Sequence, residues 1–96
     1  MSGPTQPKVE GEEWSDERIR EFLTLTPLDG TDPDFHVLHQ SYIHMIPEFF
    51  ERFLAEFKQA GRNLNARALD GETMVERLSK HRRAAAYLEL LRKVGA

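Results

Sequence analysis

The chain has 96 residues, 40% of them apolar, which allows one small folded domain. It contains no cysteine, which excludes disulfides, thiolate metal sites and a cysteine nucleophile, and no apolar run approaches the ~20 residues that span a membrane, so we expect a cytoplasmic protein without membrane contact. The net charge of −3 is uneven, because residues 1–57 carry 12 Asp or Glu and 4 Lys or Arg, whereas residues 58–96 carry 4 and 9.

The N-terminal part predicts a tail followed by one helix. Residues 1–13 are polar and contain two Pro, two Gly and three Glu, so we expect them to be disordered. Ser15 is a good N-cap, and the two acidic residues after it suit the first turn of a helix. Trp14 and Ile19 have the spacing of a hydrophobic staple, and Pro27 should end this helix within two residues of itself.

The middle of the chain predicts two further helices. Asp32 is a suitable cap for a helix that begins at Pro33, and Pro47 should end that helix and begin the next, at about 47–60. Gly61 provides the C-terminal cap of this third helix. Four phenylalanines of the third helix lie on one face: Phe49, Phe50, Phe53 and Phe57. We interpret them as core residues rather than as an aromatic ligand site.

The C-terminal part predicts a short pair of helices. An Asp-Gly turn at 70–71 precedes Thr73 and Glu76, whose spacing is that of a capping box. The fourth helix should end at the basic joint 81–83, and the fifth should occupy about 84–94. The fold class is therefore all-α with about five short helices.

The segment 61–96 resembles an ankyrin repeat. It has that family's Asn-Ala start to a finger-like loop, its Asp-Gly-x-Thr turn at 70–73, two short helices and a closing Gly-Ala. Residues 32–60 resemble a degenerate second repeat that lacks the turn. The resemblance implies antiparallel helix pairs within one domain at 14–96, with the first helix as an N-terminal cap. The whole chain is also similar to a small family of uncharacterised bacterial proteins, which implies no activity.

The ankyrin resemblance also implies a function. Ankyrin repeats usually bind other proteins through loop tips and the first helix of each pair, so we expect a non-enzymatic protein-interaction module that is a monomer or a weak homodimer. The residues in the corresponding positions are Arg67, Ala68, Leu69, Met74, Arg77 and His81.

A basic cluster gives an alternative. It consists of Arg77, Lys80, His81, Arg82 and Arg83. These side chains could bind an acidic protein or the phosphates of a nucleic acid. Proteins that bind single strands have aromatic residues between the basic ones, on which the bases stack, and this cluster has none. Nucleic-acid binding is therefore the second hypothesis. The charge asymmetry between the halves also has simpler interpretations, in which the two halves attract each other or both charged faces are merely solvated.

Catalytic and metal sites have little support in the sequence. His36 and His39 are three residues apart on a predicted helix, and Glu48 could complete a metal site with them, but no metal signature such as H-E-x-x-H is present. Neither a glycine-rich phosphate loop nor a nucleophile elbow occurs. We therefore expect no metal, no cofactor and no enzyme activity.

Overall fold

The computed structural model describes residues 13–96, which form an all-α fold. The helices are α1 (Asp16–Glu21), α2 (Pro33–His44), α3 (Pro47–Gln59), α4 (Met74–Leu78) and α5 (Ala85–Lys93), with 3₁₀ turns at Phe22–Thr24 and Arg82–Ala84. Within this range there is no β-strand, and one isolated bridge pairs Arg67 with Thr73. The prediction of about five short helices is confirmed.

The predicted disordered tail, residues 1–13, lies outside the described residues except for Glu13. Among the helices of residues 13–96, none has both the length and the apolar composition that are needed to cross a membrane.

The predicted helix caps are present. The hydroxyl of Ser15 accepts a hydrogen bond from the amide of Arg18, and Asp32 caps α2 in a similar way. At α4, Thr73 and Glu76 form both hydrogen bonds of the capping box. These side chains satisfy the amide groups that each helix start leaves without a partner, which fixes where the helices begin.

The first helix is shorter than predicted. Its α-helical part ends at Glu21, and the chain continues as a 3₁₀ turn to Thr24. The hydroxyl of Thr24 donates to the carbonyl of Glu21, and the amide of Leu25 donates to the carbonyl of Phe22. These tighter bonds satisfy the last carbonyls of the helix, which is a common way for a short helix to end.

The four phenylalanines of α3 are core residues, as predicted. Helix α3 packs against α1, α2 and α5. The ring of each phenylalanine is at most 5% exposed: Phe49, Phe50, Phe53 and Phe57. Burial of one such ring stabilises a fold by about 1.5–3 kcal/mol before the opposing entropy is counted, so this face of α3 makes a large contribution to the stability of the domain.

Helix α1 covers one end of the phenylalanine face. The ring of Trp14 stacks on Phe22 and on Phe49, with centroid distances of 5.8 and 5.4 Å. The guanidinium of Arg52 on α3 donates to the carbonyl of Trp14 at 3.2 Å and to Asp16 at 2.6 Å. The first helix thus serves as a cap on the other helices, and Trp14 is its anchor.

The remaining helices form two sequential pairs. Helices α2 and α3 are separated by Met45 and Ile46, and helices α4 and α5 by residues 79–84, where His81 has an extended backbone. The hydroxyl of Tyr87 on α5 donates to the carbonyl of Met45 at 2.6 Å and so joins one pair to the other. A break near His81 agrees with the predicted helix pair, while the ankyrin-like geometry of the pairs stays a prediction.

Candidate partner-binding groove

An open groove of about 620 Å³ crosses α2 between Phe35 and Gln40. Two loops border it: the Leu28 loop, which we define as residues 26–31, and the finger loop, residues 67–73. Helix α2 and Arg77 of α4 provide the remaining surface. The residues that line the groove are Thr26, Leu28, Asp29, Thr31, Phe35, His36, His39, Gln40, Ala68, Leu69, Asp70 and Arg77.

The finger loop is held in shape by its own hydrogen bonds. The amide of Ala68 donates to the carbonyl of Glu72 at 2.8 Å, and the amide of Gly71 donates back to Ala68 at 2.9 Å. Gly71 has a positive φ of 91°, which favours glycine at this turn. The guanidinium of Arg67 donates to the carbonyl of Gly71 and closes the loop further. This frame holds Leu69 at the tip, where its side chain is 68% exposed.

The Leu28 loop is also a fixed turn. The carboxylate of Asp29 accepts hydrogen bonds from the hydroxyl of Thr31 at 2.6 Å and from its amide at 3.0 Å. The same two bonds lower the pKa of Asp29 below its ordinary value. Leu28 precedes this turn and is fully exposed, at 102%. The groove therefore has an exposed leucine on each of its two bordering loops.

The floor of the groove carries aromatic and histidine side chains. Phe35 is almost fully buried, and its ring stacks on the imidazole of His39 with a centroid distance of 5.8 Å. The guanidinium of Arg77 lies 5.1 Å from the centre of the Phe35 ring. Burial lowers the pKa of His39, and the positive charges of Arg77 and His36 lower it further. Partial burial and the nearby positive charges thus disfavour the protonated form of this imidazole.

A second depression, of about 540 Å³, continues the groove toward the C-terminal end of α4. We call it the basic end. It shares His39 and Arg77 with the groove, so the two form one surface. Its lining residues are His39, Tyr42, Arg77, Leu78, Lys80, His81, Arg82 and Arg83.

Two cations of the basic end bind the finger loop. Arg77 donates to Asp70 at 2.8 Å and to Glu72 at 3.0 Å, and Lys80 donates to the other oxygen of Glu72. The hydrogen bonds from Lys80 and Arg77 lower the pKa of Glu72. The amide of Glu72, together with Arg77, lowers that of Asp70. Arg77 and Lys80 thus connect α4 to the finger loop, and part of their charge is neutralised there.

The other cations of the basic end are not neutralised in this way. Arg82 and Arg83 are exposed on the 3₁₀ turn before α5, and His81 is exposed next to them. In the part of the chain that the structure describes, neither arginine forms an ion pair. Their guanidinium groups are therefore available to an anionic partner.

The structure separates the predicted contact residues into three sets. The first set lies at the groove or its basic end. Leu69, His81, Arg82 and Arg83 are exposed there, and Ala68 is half-buried. The second set bonds within the protein: Arg67, Arg77 and Lys80.

Met74 forms the third set alone, and its prediction as a surface contact is wrong. Its side chain is fully buried. Met74 and Leu78 are four residues apart, so they lie on the same face of α4, and both are in the core. Val75, which follows Met74 on α4, is half-buried and packs against the core.

Sequence reasoning missed several residues of the groove. The sequence contains one signal for Leu28, an apolar residue between the turn-forming residues Pro27 and Asp29-Gly30, which could have indicated an exposed contact. His39 and Tyr42 could not be assigned to this surface from the sequence. They line it together with Arg77 and the basic joint, which lie about 40 residues further along the chain. No local pattern encodes such a juxtaposition.

The candidate metal site at His36 and His39 has no third ligand among the described residues. His36 and His39 both line the groove. Across residues 13–96, no group of three or more His, Asp or Glu side chains is placed to hold a metal ion, so Glu48 does not complete the site.

Comparisons of the chain with protein-family models, with curated proteins and with solved structures found no match. The resemblance to ankyrin repeats and to a bacterial family thus depends on the sequence motifs alone.

Proposed function

We propose that this protein is a protein-interaction module without catalytic activity, and that its groove receives a segment of another protein. The observation that carries the proposal is the pair of exposed leucines, Leu28 and Leu69, on hydrogen-bonded loops that border one concave surface. Water solvates such side chains poorly, and exposed apolar groups at a concavity with a polar rim are typical of binding sites.

The two carboxylates of the groove are not suited to general acid catalysis. A general acid needs a carboxyl group whose pKa is raised toward neutrality. Asp29 and Asp70, the two carboxylates of the groove, have pKa values that are lowered by hydrogen bonds within their own loops. Both are occupied in holding the loops, which is a structural task.

The test compares partner capture by three forms of the protein. A Leu28→Asp/Leu69→Asp variant places two charges in the apolar part of the groove, and Ile43→Asp is the matched control, because Ile43 is an exposed apolar residue outside the groove. Proteins captured by the wild type should also be captured by Ile43→Asp and lost with the double variant. Capture of the same proteins by all three forms would show that the groove is not the binding site.

Nucleic-acid binding is a second candidate, because Arg82 and Arg83 have no carboxylate partner among the described residues. Titration with single-stranded and duplex DNA or RNA at low salt tests it. Amide shifts in residues 77–83, reduced by added salt, would support it. Unchanged amides there would exclude it.

A further inference from the structure

We propose that the groove and its basic end together bind an acidic peptide segment that carries an apolar anchor side chain. The inference rests on the proposed function and names the chemical class of its partner. In this arrangement the anchor lies among Leu28, Leu69 and Phe35, and the acidic residues lie against Arg82 and Arg83.

The first argument is the continuity of the surface. His39 and Arg77 line both the groove and the basic end, so one bound segment can contact both without a break. The apolar contacts are confined to one part of this surface and the unpaired cations to the other. A partner segment must therefore carry its apolar and its charged side chains at different positions along its length.

The second argument is charge. Four cations line the basic end, and no carboxylate lines it among the described residues. Asp70 and Glu72 of the finger loop form ion pairs with Arg77 and Lys80. The charges of Arg82 and Arg83 are left in excess. A guanidinium binds a carboxylate through two parallel hydrogen bonds, so an acidic segment has the complementary chemistry.

The third argument separates a peptide from a nucleic acid. A nucleic acid presents negative charge along its whole length, but the apolar part of the surface contains the ionised carboxylates of Asp29 and Asp70, which repel phosphates. The exposed apolar side chains, Leu28 and Leu69, offer no aromatic face on which bases could stack, and the ring of Phe35 is almost fully buried. An apolar side chain followed by carboxylates avoids both problems.

The geometry of α2 sets the spacing within the segment. Phe35 lies in the groove and Tyr42 lies at the basic end, seven residues further along the helix. At a rise of 1.5 Å per residue they are about 10 Å apart along the helix axis, which an extended peptide covers in about three residues. The acidic residues should therefore stand about three to five positions from the anchor.

The experiment is selection of peptides from a random 12-residue display library on the immobilised full chain. We expect enriched peptides to share a Leu, Ile, Met or Phe with two or more Asp or Glu about three to five positions away. Synthetic copies should bind at least about tenfold more weakly to Arg82→Glu/Arg83→Glu. The control, Arg92→Glu/Lys93→Glu, reverses two adjacent exposed charges outside the groove and should change binding less than about twofold. Circular dichroism verifies that both variants fold.

The possible outcomes distinguish this inference from the proposed function. Enriched peptides that are apolar but not acidic, and that lose binding with Leu28→Asp/Leu69→Asp, would overturn the inference and support the groove as a peptide site. No enrichment of any peptide would overturn both. Oligonucleotide binding that Arg82→Glu/Arg83→Glu abolishes, without peptide enrichment, would assign the surface to nucleic acid. Loss of a self-associated form with Leu28→Asp would assign it to a second copy of the chain.

Discussion

Arg62 connects three segments that are far apart in the sequence. Its Nε donates to Asp34 at 2.6 Å, and its Nη1 donates to the carbonyl of Leu23 at 2.6 Å. The guanidinium also lies 5.7 Å from the centre of the Phe57 ring. The planar fork of arginine permits these contacts at once, which the single ammonium of lysine could not do. The start of α2 and the end of the 3₁₀ turn are therefore held to the end of α3.

We predict that Arg62→Met lowers the free energy of unfolding by about 1–3 kcal/mol, because it removes two charge-assisted bonds and leaves Asp34, with only 24% of its side chain exposed, without its cation. Urea unfolding followed by circular dichroism measures the change. The control is Arg20→Met, whose ion pair with Glu56 is more exposed and should cost about 0.5 kcal/mol or less. Equal losses in the two variants would contradict the prediction.

The lowered pKa of His39 predicts a pH dependence of stability. In the unfolded chain His39 binds a proton near its ordinary pKa of 6.5, whereas in the folded chain it does so only at lower pH. Below pH 6.5 the unfolded state therefore binds more protons than the folded state. The contribution of His39 to the free energy of unfolding is complete above pH 6.5, and it is lost as the pH falls through the pKa that His39 has in the folded protein. His39→Gln should flatten this part of the curve of unfolding free energy against pH.

The matched control for His39 is His44→Gln, since His44 is an exposed histidine at the end of the same helix. Denaturant unfolding at a series of pH values, in one buffer system of constant ionic strength, gives the comparison. An equal flattening in both variants would show that the effect does not come from the partly buried position of His39.

At the scale of single residues, predictability follows sequence distance. Ser15 and Thr73 could be assigned as caps because each bonds to a residue three positions away. The role of Arg62 could not be foreseen, because its partners lie 28 and 39 positions away. Arg77 was expected to face a partner, and its bonds to the finger loop depend on a turn geometry that the sequence only outlines.

Among the elements, α4 depends most on its cap. It has five residues, which is far below the ~12–15 at which an isolated helix becomes even marginally stable. Two of those residues, Met74 and Leu78, are buried, and the capping box satisfies amides at its start. The helix positions Arg77 and Lys80, so its cap also fixes one side of the groove.

We predict that Thr73→Ala destabilises the protein by about 1 kcal/mol, because the side chain no longer accepts the hydrogen bond of the Glu76 amide. Hydrogen exchange should show faster exchange at the amides of Glu76 and Arg77, the first to lose order when α4 frays. Thr73→Ser keeps the hydroxyl and is the control. If the serine variant exchanges as fast as the alanine variant, the hydrogen bond is not the cause.

At the scale of elements, the first residue of a helix was easier to predict than the last. The starts of α2, α3 and α4 follow from Asp32, Pro47 and Thr73, whose side chains or rings act within one turn. The end of α1 was placed too late, because Pro27 gives only an outer limit. The α-helix changes to a 3₁₀ turn at Phe22, whose ring stacks on Trp14 in a contact that the local helix pattern does not encode.

For the whole molecule, the core could be predicted but the groove could not. The phenylalanines of α3 repeat with helical spacing, and that pattern indicates a buried face whatever covers it. The groove arises where the Leu28 loop, α2 and the finger loop meet, and their relative placement follows from the assembled core. Sequence motifs suggested the finger loop as a contact region, while the loop that faces the same groove had no such signal.

The covering of the phenylalanine face by Trp14 leads to a prediction about association. Trp14 is 6% exposed and contacts Phe22 and Phe49, so the apolar end of α3 is already covered within one chain. We therefore expect the wild type to sediment as a monomer of 11.1 kDa at micromolar concentrations. Trp14→Ala should cost about 3–5 kcal/mol, a large share of the stability of a small domain, and should expose the phenylalanines.

Sedimentation equilibrium and urea unfolding together test this prediction. We expect Trp14→Ala to self-associate as its concentration rises, because a second copy can then cover the exposed rings of Phe22 and Phe49. Trp14→Phe keeps an aromatic ring at the position and should remain monomeric with a smaller loss of stability. A wild-type dimer at micromolar concentration, or an alanine variant as stable and monomeric as the wild type, would mean that α1 is not the cover that this fold requires.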